Sequence, residues 1–297
     1  MTLHPTPSEP LAPVTAQPRD DQIDVFGMTH PGLRRRENQD HFLLCSLHKT
    51  MRVRGSSLPN PELLEIPSER LAFFGMVADG VGATEGGEAA SRAAIEAVAA
   101  YATHAMRCYY GGDPENHEAF LHALGQAARD CQETVLARGR EHPEYRGLAT
   151  TLTMGIGVWP WVYVLHIGDS RMYRLRGERL ERLTRDQTMA QELVDSGVLP
   201  PERAAHSRFA NVLASSLGGE LQPDLLRFDN EPDDVFLLCT DGLTHHVSDE
   251  AIRERLLRMT SAEQVCRALV QDALDGGGSD NVTVVVGRAV VGRRSPP

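Results

Sequence analysis

Eight short apolar runs, rich in β-branched and aromatic residues, recur at 23–27, 41–45, 71–78, 151–158, 161–168, 171–175, 235–240 and 281–287. Runs of this length and make-up read as strands, and their spread along the chain requires a fold built on sheets. Between the third and fourth runs the periodicity changes to that of two long helical stretches. The second of these sets Phe120, Leu124, Ala128, Cys131 and Val135 on one face, at spacings of three and four. A third helical stretch, about 249–274, breaks near Thr260 and Ser261 into two helices, with Ser261 as an N-cap. Between Trp159 and Leu183, turn residues at Gly168 and Gly177 divide short segments in the manner of antiparallel hairpins. Strands flanked by paired helices predict an α+β architecture in one domain.

Residues 1–21 hold five prolines and little periodic hydrophobicity, which predicts a disordered N-terminal tail. The folded domain is expected over 22–290, with 291–297 as a C-terminal tail. Within it, residues 46–70 carry three prolines and scattered charge and are expected to form an exposed loop. Residues 184–210 carry a short helical pattern around Met189 to Val194 and then polar, Pro-containing sequence, the pattern of a partly mobile flap.

Charge and cysteine usage narrow the function. A formal net charge of −11 argues against a nucleic-acid or anionic-membrane binder. The N-terminus shows no basic segment leading into an apolar one, and no run approaches the roughly 18 apolar residues of a membrane span. A soluble cytoplasmic protein is therefore expected. Five cysteines without a C-x-x-C pair suggest reduced core thiols, not a disulfide framework or a zinc site.

The chemistry is carried by acids at the ends of the apolar runs. Asp79 ends "FFGMVADG", Asp169 ends "VLHIGDS", Asp241 ends "VFLLCTDG", Asp280 begins "SDNVTVVV" and Asp40 precedes the run at 41–45. Any one of them taken alone reads better as ordinary turn chemistry, and only the five together favour a metal cluster. Five acids converging on one sheet edge would repel unless cations offset them, and all-oxygen ligands suit Mg²⁺ or Mn²⁺. The glycines at 80, 82, 86 and 87 form neither a dinucleotide fingerprint nor a P-loop.

Six segments occur in the order seen in one family: "GLRRRENQD" (32–40), "VADGVGATEGGEAAS" (77–91), "ATTLT" (149–153), "HIGDSRMYRLR" (166–176), "LLCTDGLT" (237–244) and "GSDNVTVVV" (278–286). The chain resembles the type 2C, metal-dependent Ser/Thr protein phosphatases (PPM), most closely the bacterial branch, over residues 23 to about 288. The resemblance implies an αββα sandwich of two packed antiparallel sheets flanked by helical pairs. It implies hydrolysis of phosphoserine and phosphothreonine by a water bridged between two Mn²⁺ or Mg²⁺ ions. Carried over position by position, Asp79 would bridge both ions, Gly80 would offer its carbonyl to the first, and Asp241 and Asp280 would hold the second. Asp40 would act through a metal-bound water or directly, and Arg35 would hold the substrate phosphate. The implied partners are phosphoprotein substrates and a cognate Ser/Thr kinase with its targets; anti-anti-sigma factors and secretion components are alternatives.

Three features depart from the family pattern. Val81 stands where eukaryotic relatives have a His, His245 stands where an acid often shares a third ion with Asp169, and the flap motif reads Asp186, Gln187, Thr188. A third ion at Asp169 is therefore expected to be weak. Other phosphatase chemistries lack their motifs: no Cys is followed by C-x5-R, and no D-x-D, D-x-H or G-N-H segment occurs. The competing class is a phosphatase-like regulatory or binding module without turnover, which would be expected to lack metal ligands.

Overall fold

Side chains along a strand alternate between two faces, and here both faces of each sheet find an apolar partner. Along 152–167, Leu152, Met154, Ile156, Tyr163, Leu165 and Ile167 join a cluster under one helical layer, while Val162 and Val164 turn the other way and meet Val77, Met172, Leu238 and Val285. A second helical layer covers Tyr173, Leu237, Val284 and Val286. Three apolar interfaces thus stack four layers in the order helices, sheet, sheet, helices. Full burial of one such large side chain contributes about 1.5–3 kcal/mol.

The computed structural model describes residues 17–51, 53, 66–81, 86–105, 116–142 and 147–290. In chain order these form β1 (Ile23–His30), β2 (Asp40–Met51), β3 (Ile66–Val81), α1 (Gly86–Ala105), α2 (His117–Glu141), β4 (Ala149–Thr150), β5 (Leu152–Val158), β6 (Trp161–Ile167), β7 (Arg171–Arg176) and β8 (Arg179–Arg182). There follow α3 (Met189–Asp195), α4 (Pro201–Ala204), β9 (Asp224–Asp229), β10 (Val235–Cys239), α5 (Asp241–Thr244), α6 (Asp249–Leu257), α7 (Ala262–Asp275) and β11 (Val282–Ala289). One sheet has the order β1-β11-β10-β7-β8, the other β2-β3-β5-β6-β9 with β4 paired to β3. All pairings are antiparallel. This is the α+β sandwich expected from the sequence. The break before α7 also falls as expected, with the Ser261 hydroxyl accepting from the Gln264 amide at 3.1 Å.

Several boundaries differ from the sequence reading. The chain is already part of the fold at Gln17, whose Nε2 donates to the Arg70 carbonyl at 2.8 Å, while the Arg70 guanidinium holds the Pro18 carbonyl. Residues 1–16 and 291–297 lie outside the described residues. The stretch read as a loop over 46–70 is strand at both ends: β2 and β3 stay paired from Ser46 opposite Phe73 to Met51 opposite Ile66, and 54–65 lies outside the described residues. Register shifts after Leu47 and Lys49 interrupt the alternation that would have marked those ends as strand.

Two edge strands, β8 and β9, escaped the sequence reading because their sequences, RLER and DLLRFD, are charged at half or more of their positions. The turn at Gly168 does not close a hairpin. It carries the chain from β6 in one sheet to β7 in the other, whereas Gly177 does join the paired strands β7 and β8.

Candidate active site

Antiparallel register between β2 and β3 sets Asp40 directly opposite Asp79. Cα atoms so paired lie roughly 4.5–5.5 Å apart, and like charges there are destabilising. In the facing sheet, Asp241 follows β10 and Asp280 precedes β11, the strand antiparallel to it. The two layers meet at the same end: the hydroxyls of Thr240 and Thr283, beside those acids, both donate to Asp40 Oδ2 at 2.7 Å. Asp169 arrives on the crossing turn. Gly168 has φ +104° and lies so close to Thr151 that a Cβ would come within 2.6 Å of its Cγ2. Thr151 Oγ1 also accepts from the Asp79 amide at 3.0 Å, so one threonine locates two of the acids.

The electrostatics follow from this crowding. Burial raises the Asp40 carboxyl to about 7, with Asp241 and Asp280 adding to the rise and the two threonine bonds opposing it. Burial likewise pushes Asp79 well above the usual carboxylate range, reinforced by Asp40, Asp241 and Asp169. Asp169 is raised by burial and then by Asp241 and Asp186, and Asp241 is raised chiefly by burial. Asp40 Oδ1 and Asp241 Oδ1 are buried and, among the described residues, accept no hydrogen bond. Such orphaned acceptors call for a cation or a proton.

Arg35 lies on the loop between β1 and β2 and donates from one guanidinium nitrogen to Asp280 Oδ2 at 2.6 Å. Gly80 sits so close to Gly87 that a Cβ would fall 2.2 Å from the Gly87 carbonyl oxygen. His245 stands one helical turn after Asp241, with Nδ1 at 3.6 Å from Asp241 Oδ2. The pairing recorded for it is thus with Asp241, whereas the charges acting most on Asp169 are Asp241 and Asp186. Among the described residues, no three of these His and acidic side chains already stand in a closed ligating arrangement. Asp280 is turned to Arg35, so its use as a ligand requires release from that pair. The oxygen-only donor set and the two orphaned acceptors nonetheless fit hard divalent cations.

The residues that hold these acids in place were not among the candidate site residues, although the motifs include Asn38, Gln187 and Asn281. Asn281 grips the loop before β2 at three points, accepting from the Gln39 amide at 2.9 Å and donating to the carbonyls of Pro31 and Glu37 at 3.0 and 2.9 Å. Gln187 ties the flap to the crossing turn: its Oε1 accepts from the Gly168 amide at 2.8 Å and its backbone N–H donates to the Gly168 carbonyl at 2.8 Å. Asn38 donates to Thr29, which bonds Thr283, the donor to Asp40. The available signal was positional, since Asn281 and Thr240 adjoin strand-end acids.

Gly242 leaves no space for a side chain, because its Cβ would lie 1.8 Å from the Asn281 carbonyl oxygen. Gly242→Ala is therefore expected to force apart the turns bearing Asp241 and Asp280. A loss of about 3 kcal/mol, or roughly 6–12 °C in Tm, is expected by calorimetry. An unchanged Tm would contradict this close approach.

The family model described as protein phosphatase 2C matches residues 66–275. The serine/threonine protein phosphatase PstP of Mycobacterium tuberculosis is 39% identical over 215 residues, which is 72% of this chain and 40% of that protein. The chain thus covers less than half the length of that relative. The serine/threonine phosphatase stp of Listeria monocytogenes is 28% identical over 71% of this chain and 82% of its own length. Among solved structures, the M. tuberculosis phosphatase PstP/Ppp aligns with a TM-score of 0.71 at 30% identity, over 90% of this chain and 99% of that one. The catalytic domain of PstP in complex with two manganese ions aligns with a TM-score of 0.69 at 30% identity, over 90% and 98%. With the model spanning most of the sheet framework, and the solved relative matched along nearly its whole length, this chain belongs to the protein phosphatase 2C family.

Proposed function

We propose that the protein is a metal-dependent serine/threonine protein phosphatase that hydrolyses phosphoserine and phosphothreonine on proteins. The observation that carries this reading is the convergence of Asp40, Asp79, Asp169 and Asp241 from two sheets, with two orphaned carboxylate oxygens among them and the Arg35 guanidinium bonded to Asp280 and acted on by the charges of Asp79 and Asp241. Asp79, Asp241 and Asp280, with the Gly80 carbonyl, would hold two Mn²⁺ or Mg²⁺ ions, and Asp169 a weaker third. Bound there, such ions supply an activated water and neutralise phosphoryl oxygens. The rest falls to the chain itself. Arg35 orients the phosphate through its planar fork, and Asp40, with Oδ2 fixed by two threonines, presents Oδ1 as the remaining acceptor. Val81 offers no proton to the leaving alkoxide, so its protonation falls to water or another group.

Substrates of this class must be supplied by a Ser/Thr kinase, the partner we infer. Cytoplasmic phosphoproteins are the substrates we infer; none of the described helices is long and apolar enough to cross a membrane. Phosphate release from a phosphothreonine peptide in Mn²⁺ tests the reading; no release from peptide or para-nitrophenyl phosphate would overturn it. Arg35→Ala is expected to raise KM for the peptide about tenfold or more, the cost of a charge-assisted hydrogen bond. An unchanged KM would move the phosphate contact elsewhere.

A further inference from the structure

The loop that carries Arg35 carries two more arginines, and the structure uses neither of them. Gly32, with φ +78°, packs so tightly that a Cβ would lie 2.1 Å from the Asp280 carbonyl oxygen, and the Leu33 amide donates to the Gly278 carbonyl at 2.7 Å. Asn281 holds the carbonyls of Pro31 and Glu37, so the loop is fastened at both ends to the residue after Asp280. Its tip, Arg34, Arg35 and Arg36, is exposed. Arg35 is engaged by Asp280. Arg34 and Arg36 form no ion pair or side-chain hydrogen bond among the described residues, whereas Arg171, Arg174, Arg176 and Arg255 are each held by carboxylates.

Consecutive Cα atoms are about 3.8 Å apart, so the backbone carries both free arginines immediately beside Arg35 on the exposed tip. They stand there on a protein of net charge −11, whose overall field disfavours anionic substrates. Glu37 is the one acid in the tip segment and offsets part of this charge; with Arg35 facing Asp280, Arg34 and Arg36 are the two cations of the tip left unpaired among the described residues.

We propose that Arg34 and Arg36 extend the phosphate-binding position of Arg35 into a basic lip that selects phosphopeptides bearing a second anion, an acidic side chain or another phosphoryl group, beside the phosphoresidue. This inference rests on the phosphatase reading and names its substrate class. The lip acts by charge attraction at the rim and takes no part in bond breaking.

The test compares phosphothreonine peptides with Glu, Ala or Arg on both sides of the phosphoresidue, with para-nitrophenyl phosphate as a substrate too small to reach the lip. Wild-type kcat/KM is expected to favour the Glu over the Ala peptide by about fivefold at low salt, the scale of two exposed charge contacts, and the preference should shrink with added NaCl. The Arg34→Gln/Arg36→Gln double variant should lose the preference and Arg34→Lys/Arg36→Lys should keep most of it, each referred to para-nitrophenyl phosphate turnover in the same variant. A wild type that favours the Ala or Arg peptide, or a preference that survives in the glutamine variant, would overturn the proposal. So would a loss shared equally by all substrates, which would mark the two arginines as structural. Fluorescence polarisation with the same peptides keeps the two readings apart. A Glu-peptide preference in binding without turnover would refute the phosphatase reading and leave the lip standing, and its absence would refute the lip.

Discussion

Asp79→Asn is expected to reduce phosphate release from a phosphothreonine peptide by about 10³-fold in saturating Mn²⁺, and removal of divalent cations with EDTA should abolish release from the unaltered protein. Asp79 faces Asp40 across the β2–β3 register and feels the charges of Asp241 from the other sheet and Asp169 from the crossing turn. A cation placed among these groups relieves, through Asp79, repulsion that reaches it from Asp40, Asp241 and Asp169. Loss of a ligand so placed removes several kcal/mol of transition-state stabilisation, and about 4 kcal/mol corresponds to that fold-change. Near-normal release by Asp79→Asn with intact Mn²⁺ dependence would place the ions elsewhere.

The same crowding makes stability depend on pH in the absence of metal, and makes the stabilisation gained from metal depend on pH as well. Asp40 has a folded-state pKa of about 7, above the ordinary carboxylate value near 3.9, so between these limits the folded chain binds more protons than the unfolded one. Metal-free protein should therefore lose stability as pH rises from about 4 through 7, by on the order of a few kcal/mol. The upward direction at Asp79, Asp169 and Asp241 acts the same way. Cations compete with those protons, so the rise in Tm produced by Mn²⁺ should be much larger at pH 7.5 than at pH 5.5. Equal Mn²⁺-induced shifts at the two pH values would show that these carboxyls do not bind the ion.

The fold was legible because its strands are buried on both faces and read as continuous apolar runs; the same property hid β8 and β9, edge strands that need little apolar content. Asp79, Asp169, Asp241 and Asp280 stood out because an acid ends or opens each run. What the chain did not reveal was non-local: that Asp40 opposes Asp79, that Thr240 and Thr283 reach it from the other sheet, and that Asn281 fastens the Arg35 loop. These depend on register and sheet stacking, which no local pattern encodes. The pairing of His245 with Asp241 was legible in principle, since residues four apart share one helical face. Counting from the family motif drew attention to Asp169 instead.

The double threonine grip on Asp40 has a consequence for how the molecule fails. Asp40 and Asp79 belong to one layer, Asp241 and Asp280 to the other, and Thr240 and Thr283 are the stitches between them. The chemistry is thus owned by the seam and by neither half. A partly denatured chain that keeps every strand and helix yet lets the layers slip by a few ångströms is inert, so turnover vanishes before ellipticity does. For the same reason, neither half produced alone would retain a dilute version of the activity.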